Sequence, residues 1–479
     1  MTGTYPQPPI NETQGKTETM KNLFRLTALL SALGTALPLH AMPYATPDTW
    51  GGDLSSRARL TGDWGGARDD MAKKGVVLDL DLYWMPQGII SGGKDEESGS
   101  WGNAIATLNV DTQKAGFWPG GFFKVQTVTS FGDNIMRDTG AMVPANLSWM
   151  LPTPTDTDTG LQEFTYTQFL SQHFGVFLGK INSIAPTNVL HGDYTTGFLN
   201  TGINMPLALA MAPLSAYGAG VLYLPSHDVT LAAMVLDPNG TIMNDDLGDA
   251  FDDGVMVIGS ADLKVKPGGL PGHQNLTLAW SNKDRTSLIQ DPVNIANLLL
   301  TARFPLLGDP GPILGEILEA FPVVGAPQPL NKESETWAAV YSFEQFVWQP
   351  AGDPKRGIGV FFSAGLSDGK ANPIKYSYSL GLVGKGVVPG RPRDDFGIGW
   401  ARTEFSDNFV PYLRATYDLG LDHEDAVELY YNAAVTPWLS VSPSLQIISP
   451  ALNKALDANH NFQDLDTTYI AGVRVGIRF

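Results

Sequence analysis

The chain has 479 residues, a formal charge of −18 and no cysteine. Zero cysteine excludes disulfides, thiol nucleophiles and cysteine-ligated metals, and the acidic balance argues against nucleic acid as a partner, which needs basic stripes. Outside the N-terminal region no apolar run is long enough for a helical membrane span. The length suits either a few soluble domains or one large barrel.

Met20, Lys21 and Arg25 form a basic region ahead of the apolar run Leu26–Leu37, and Leu39-His40-Ala41 reads as a cleavage site. This is the pattern of a secretory signal peptide. Ser31, Gly34 and Pro38 disfavour a membrane anchor. Residues 1–41 are therefore expected to be an N-terminal extension and signal peptide, with Met1 or Met20 as the start. Their removal takes away three basic and two acidic residues, leaving a charge of about −19.

Residues 42–75 form a leader, expected in the periplasm. Within it Asp63 can cap a short helix, Asp69 and Asp70 suit its start, Lys73 and Lys74 its end, and Gly75 its termination. Trp64, Ala67 and Met71 share one face, which predicts a small amphipathic helix packed at a barrel mouth.

From Val76 the pattern changes to a period of two. In Val76–Tyr83, Val76, Leu78, Leu80 and Leu82 alternate with Asp79 and Asp81. Two acids in such a run are costly in a dry core and cheap on a wet lumen wall. Fourteen further segments pair around tight turns: Ala104–Asp111 with Phe122–Thr129, Leu161–Phe169 with Phe174–Lys180, Gly218–Leu224 with Val229–Asp237, and Val255–Val265 with Asn275–Asn282. Then come Thr336–Val347 with Gly357–Ser367, Lys375–Val383 with Asp395–Phe405, and Glu424–Val435 with Leu439–Ser449. The last, Tyr469–Phe479, is apolar at alternate positions and ends on an aromatic residue. Longer connections rich in Asp, Asn and Gly separate the pairs. Short turns at one end and long loops at the other are the asymmetry of an outer-membrane barrel. Residues 76–479 thus predict an all-β fold, a 16-stranded antiparallel transmembrane β-barrel, with both termini on the periplasmic side. Two long loops, 199–214 and 288–330, are apolar enough to pack. They either cap the rim or fold into the lumen. Trp84, Trp101, Trp118 and Trp438 suit aromatic girdles at the bilayer interfaces.

Leu60-Thr61-Gly62-Asp63-Trp64-Gly65-Gly66 resembles the N-terminal hallmark of the carbohydrate-selective porin (OprB-like) family. Asp395–Trp400, Glu428–Tyr431, Thr436–Leu439, Ser442–Gln446 and Gly472–Arg474 follow in that family's order, so the resemblance spans about residues 57–479. Ala67 stands where family members often carry a bulky residue, and 181–335 offers no matching motif. The resemblance implies a sixteen-stranded outer-membrane channel through which small saccharides such as glucose diffuse passively. It also implies that Phe479 is the signal to the barrel-assembly machinery, and it places the barrel among outer-membrane lipid and lipopolysaccharide.

Such a channel needs a constriction whose polar groups replace sugar–water hydrogen bonds. Strand parity nominates Asp79, Asp81, Asn109, Asp111, Lys124, Gln126, Glu163, Glu428, Tyr430 and Arg474, with Arg478 beside Arg474. Closure of the last strand on the first carries Arg474 and Arg478 past Asp79 and Asp81, so a seam-closing salt ladder is the structural alternative. Glu428 and Lys124 lie away from that seam. No catalytic role, metal or cofactor is expected. Gly365-Leu366-Ser367-Asp368-Gly369 matches a nucleophile elbow literally, but a strand follows where a helix is required. Asp457, Asn459 and Asn461 open like a calcium loop, but Phe462 and Thr468 break it. The rival readings are a plugged barrel acting as an adhesin or structural protein, and a barrel-type hydrolase.

Overall fold

A computed structural model describes residues 46–152, 158–183, 189–243, 247–291, 294, 329–457 and 461–479. The signal-peptide segment, most of loop 288–330 and Asn459 lie outside these residues.

Sixteen strands close into one antiparallel barrel. They are β1 (Val76–Ser91), β2 (Ser98–Asp111), β3 (Gly121–Asp133), β4 (Thr159–Phe169), β5 (Phe174–Asn182), β6 (Ser215–Ser226), β7 (Val229–Leu236) and β8 (Met256–Val265). Then follow β9 (Gly272–Ser281), β10 (Thr336–Trp348), β11 (Gly357–Ser367), β12 (Ile374–Lys385), β13 (Asp395–Phe405), β14 (His423–Ala434), β15 (Leu439–Ser449) and β16 (Thr468–Arg478). Every predicted segment falls on one of them. The main departure is at the start. β1 continues to Ser91 and β2 begins at Ser98, so the expected long loop 84–103 shrinks to six residues, 92–97. Backbone pairing continues as far as Gly88 opposite Ser98. There the inward side chains Met85 and Ile89 are covered by protein, so the stretch needs no lipid-facing alternation.

The outward face carries the apolar positions of the alternation: Leu78, Leu80, Leu178, Leu278, Leu380 and Leu429 are all exposed. A belt of this kind belongs against hydrocarbon, where closure leaves no unpaired strand edge. Trp84 and Trp118 lie on the outer surface, and Trp438 gives its indole N–H to the leader carbonyl of Leu54 at 2.6 Å. Trp101 departs from the girdle expectation. It points inward, is 1% exposed, and donates to Ser148 O at 3.0 Å.

The leader helix α1 (Ala67–Lys73) starts after Gly66, whose φ is 95°. Asp63 is not its cap; its carboxylate accepts the N–H of Gly65 instead, at 3.2 Å. Left-handed turns at Gly65 and Gly66 interpose between them. Arg68 is the working residue of α1. It is buried against the rings of Trp50 and Trp64 and donates to Phe479 O at 3.0 Å and Leu78 O at 2.8 Å. The leader also bonds directly to the seam, Leu60 N to Arg478 O at 2.7 Å.

Candidate functional site

Two connections fold into the barrel and form a shelf across it. The first, residues 134–152, was not singled out by its sequence. The second is 189–214, whose apolar part supports the lumen reading over rim capping. Ile135, Leu147, Trp149, Leu151, Leu199 and Leu207 are all buried in one cluster with inward residues of the wall. The segments bond to each other, Leu147 N to Leu199 O at 2.9 Å and Thr201 N to Pro144 O at 3.2 Å. Short helical turns shape them. Asn146 Oδ1 accepts Ser148 N at 3.0 Å, and Asn200 Oδ1 caps the single turn α2 (Thr201–Asn204) by accepting Gly202 N at 3.0 Å.

Backbone groups in such inserted turns must find partners inside the barrel, and inward carboxylates supply them. Glu428 accepts Leu199 N at 2.9 and 3.0 Å and Asn200 N at 2.8 Å. Glu424 accepts Met142 N at 2.8 Å, Val143 N at 2.9 Å and Ala451 N at 3.2 Å. Glu344 accepts Val189 N and Leu190 N at 2.8 Å, and pairs with His191 Nδ1 at 2.8 Å. His191 stacks on Phe361 at 4.2 Å. Gln446 adds a donor to Ala145 O at 2.8 Å. The wall is also shaped to let the shelf approach: a Cβ at Gly365 would stand 2.8 Å from that of Ala208.

The nominated residues separate into three groups. Glu428, Tyr430 and Arg474 lie behind the shelf. Tyr430 packs edge-on against Phe198 at 4.8 Å. Arg474 Nη1 donates to Tyr194 O at 2.6 Å and Gly197 O at 2.9 Å, so it does not join a seam ladder with Asp79 and Asp81. Asp79 and Asp111 serve the rim. β16 ends opposite Asp81, with Arg478 as its partner in register, so Asp79 projects beyond it and meets Arg59 at 2.9 Å and Arg68 at 2.8 Å from the leader. Asp111 caps its turn by accepting Gln113 N at 3.0 Å and Lys114 N at 3.1 Å.

The third group faces the bore on β1 to β4. Asp81, Asn109 and Gln126 keep partial exposure on the inward face, and Gln126 donates to Thr107 Oγ1 at 3.0 Å. Next to them Lys124 and Glu163 form a buried pair at 2.8 Å, with Thr165 donating to Glu163 at 2.9 Å. The anchors Glu344 and Glu424 were not nominated, although both have inward parity within predicted strands. Nothing local marks which inward acid faces water and which faces a returning loop. The elbow-like Ser367 merely donates to Ile374 O at 2.7 Å across a connection into β12.

A closed barrel with an apolar belt, an internal shelf narrowing its bore and a polar wall facing that shelf defines a membrane channel of the porin class. The model of the carbohydrate-selective porin, OprB family, matches residues 99–479, and the chain belongs to that family. Porin B of Pseudomonas aeruginosa is 24% identical over 477 residues, spanning 93% of this chain and 95% of that protein. Two structures of Pseudomonas putida OprB share the fold. The high-pH form has a TM-score of 0.70 at 21% identity and covers 89% of this chain and 100% of its own. The low-pH form has 0.52 at 18%, covering 89% and 99%. The protein is therefore an outer-membrane sugar channel.

Proposed function

We propose that this channel passes small neutral saccharides, glucose among them, by passive carbohydrate-selective diffusion into the periplasm. The observation that carries the reading is the division of the lumen. The shelf is pinned to β10, β14 and β16, while Asp81, Asn109 and Gln126 keep partly exposed polar groups on the wall of β1 to β3, which adjoins β16 across the seam. Hydroxyls both donate and accept, so a wall of carboxylate, amide and hydroxyl groups exchanges readily with a sugar's water shell. The buried Lys124–Glu163 pair sets a fixed field beside that path.

The end bearing both termini and the leader then faces the periplasm, after export with a cleaved signal peptide. The long-loop end lies outward, among lipopolysaccharide. Phe479, whose N–H donates to Leu80 O at 2.8 Å, is the residue offered to the barrel-assembly machinery.

The test is a planar-bilayer recording of the mature chain with and without glucose. Steady open channels blocked reversibly by millimolar-range glucose, with no effect of a similar-sized non-sugar, are expected. Open channels indifferent to sugars would remove the substrate assignment, and a folded barrel with no conductance would favour a plugged, structural role.

A further inference from the structure

The inner wall of β7 to β12 carries a polar row. Thr230, Asp262, Asn275, Ser342, Ser363 and Ser379 stand opposite one another in the pairing register of six successive strands. Directly opposed residues share a face of the sheet. Thr230 shares its face with Ala232 and Met234, which pack beneath Met211 of the shelf, so the whole row faces the lumen.

The shelf brackets this row, in which Thr230, Asp262, Asn275, Ser363 and Ser379 are buried and Ser342 keeps partial exposure. One level toward the loop end, Ser377 Oγ accepts Ala208 N at 3.1 Å. One level toward the terminal end, Glu344 holds residues 189–191. On β8 and β9 no shelf hydrogen bond reaches the row among the described residues, and Ser342 and the neighbouring Ser260 keep partial exposure.

Asp262 is the anomaly. It is 3% exposed, and its Oδ1 has no hydrogen-bond partner among the described residues. Lys264, two positions along on the same face, sends its ammonium to His227 O at 3.2 Å. Asn275 is held in place, accepting Thr277 Oγ1 at 3.0 Å and donating to Ala261 O at 3.3 Å. A buried carboxylate oxygen without a donor costs free energy that an incoming hydroxyl recovers.

We propose that Asp262, with Ser342 and Asn275, forms a saccharide subsite on the β8–β10 wall, separate from the polar groups of β1 to β4. A sugar hydroxyl donates to Asp262 Oδ1 in a charge-assisted bond, and a second hydroxyl exchanges with Ser342. Neighbouring strands lie about 4.8 Å apart, so successive side chains of the row meet different hydroxyls of one ring. The row holds a single carboxylate, which suits a polyol better than a bound cation.

The inference rests on the saccharide reading above, and one titration separates the two. Glucose block of single-channel current is measured for the wild-type chain, Asp262→Asn and Ser342→Ala, with heat-modifiable gel migration reporting folding. The expected result is a half-blocking concentration raised about tenfold in Asp262→Asn and less in Ser342→Ala, both folded. Should Asp262→Asn fail to fold, Ser342→Ala decides. Unchanged block in folded variants overturns the subsite and leaves the channel reading intact. Altered cation selectivity with unchanged sugar block also overturns it, making Asp262 a charge filter. A wild-type channel indifferent to glucose overturns both.

Discussion

Both carboxylate oxygens of Glu428 accept the backbone N–H of Leu199, at 2.9 and 3.0 Å, although the two residues are 229 positions apart. Glu428, one of the two lumen candidates away from the seam, is instead a clamp on the inserted segment. Glu428→Ala leaves the N–H groups of Leu199 and Asn200 without acceptors in a buried site, at about 1–3 kcal/mol for each. Release of the 199–214 segment should raise single-channel conductance and weaken sugar block together. Glu428→Gln, which keeps one acceptor oxygen, should do so less. Conductance unchanged in the alanine variant would show that the clamp is dispensable.

The Lys124–Glu163 pair is buried on both sides, with side-chain exposures of 9% and 1%. Removing one partner strands the other charge, so Lys124→Ala should destabilise the barrel by about 3–5 kcal/mol. Lys124→Met with Glu163→Leu should recover most of that loss. Urea midpoints in detergent for the single and double variants measure it, and equal midpoints for all would refute a coupled pair.

Arg68 ties the leader to the first and last strands through Asp79, Leu78 O and Phe479 O. Arg68→Ala should loosen the leader and lower the temperature of heat-induced gel shift, by an amount set by about 2 kcal/mol for a lost buried charged hydrogen bond. Limited proteolysis should then cut near Trp50 and Leu54. Protection equal to wild type would mean that Arg59, Leu60 and Trp438 hold the leader without Arg68.

Asp394 lies in the turn before β13. Burial there raises its pKa, but hydrogen bonds from Tyr431 and Arg391 and the Ala434 N–H outweigh it, so the net direction is down. A depressed carboxylate contributes stability above its unfolded value and loses it as pH falls through the folded one. Asp394→Asn should therefore be less stable than wild type at neutral pH, with the gap closing as the pH falls below the ordinary carboxylate range. A gap that persists in acid would assign the effect to shape and not to charge.

Gly365 backs the shelf so closely that any side chain there must move Ala208. Gly365→Val should displace the 207–211 turn while β11 still pairs, giving a folded barrel with altered conductance. Wild-type conductance would show that the turn yields without consequence.

All sixteen strands, their faces and the antiparallel order were legible in the sequence, because a strand's alternation is local and lipid on one side makes it strict. The short helix of the leader was legible too, though two left-handed glycines moved its start past Asp63. Parity told that Glu428, Arg474 and Lys124 point inward. It could not tell what stands in front of them. That was decided by returning segments that meet the wall hundreds of residues away, as 142–143 meets Glu424 and 189–191 meets Glu344. An inward glutamate looks the same in sequence whether its hydrogen-bond donors are water or a loop's backbone. Only the tertiary structure distributes the donors, and with them the boundary between pore and packing.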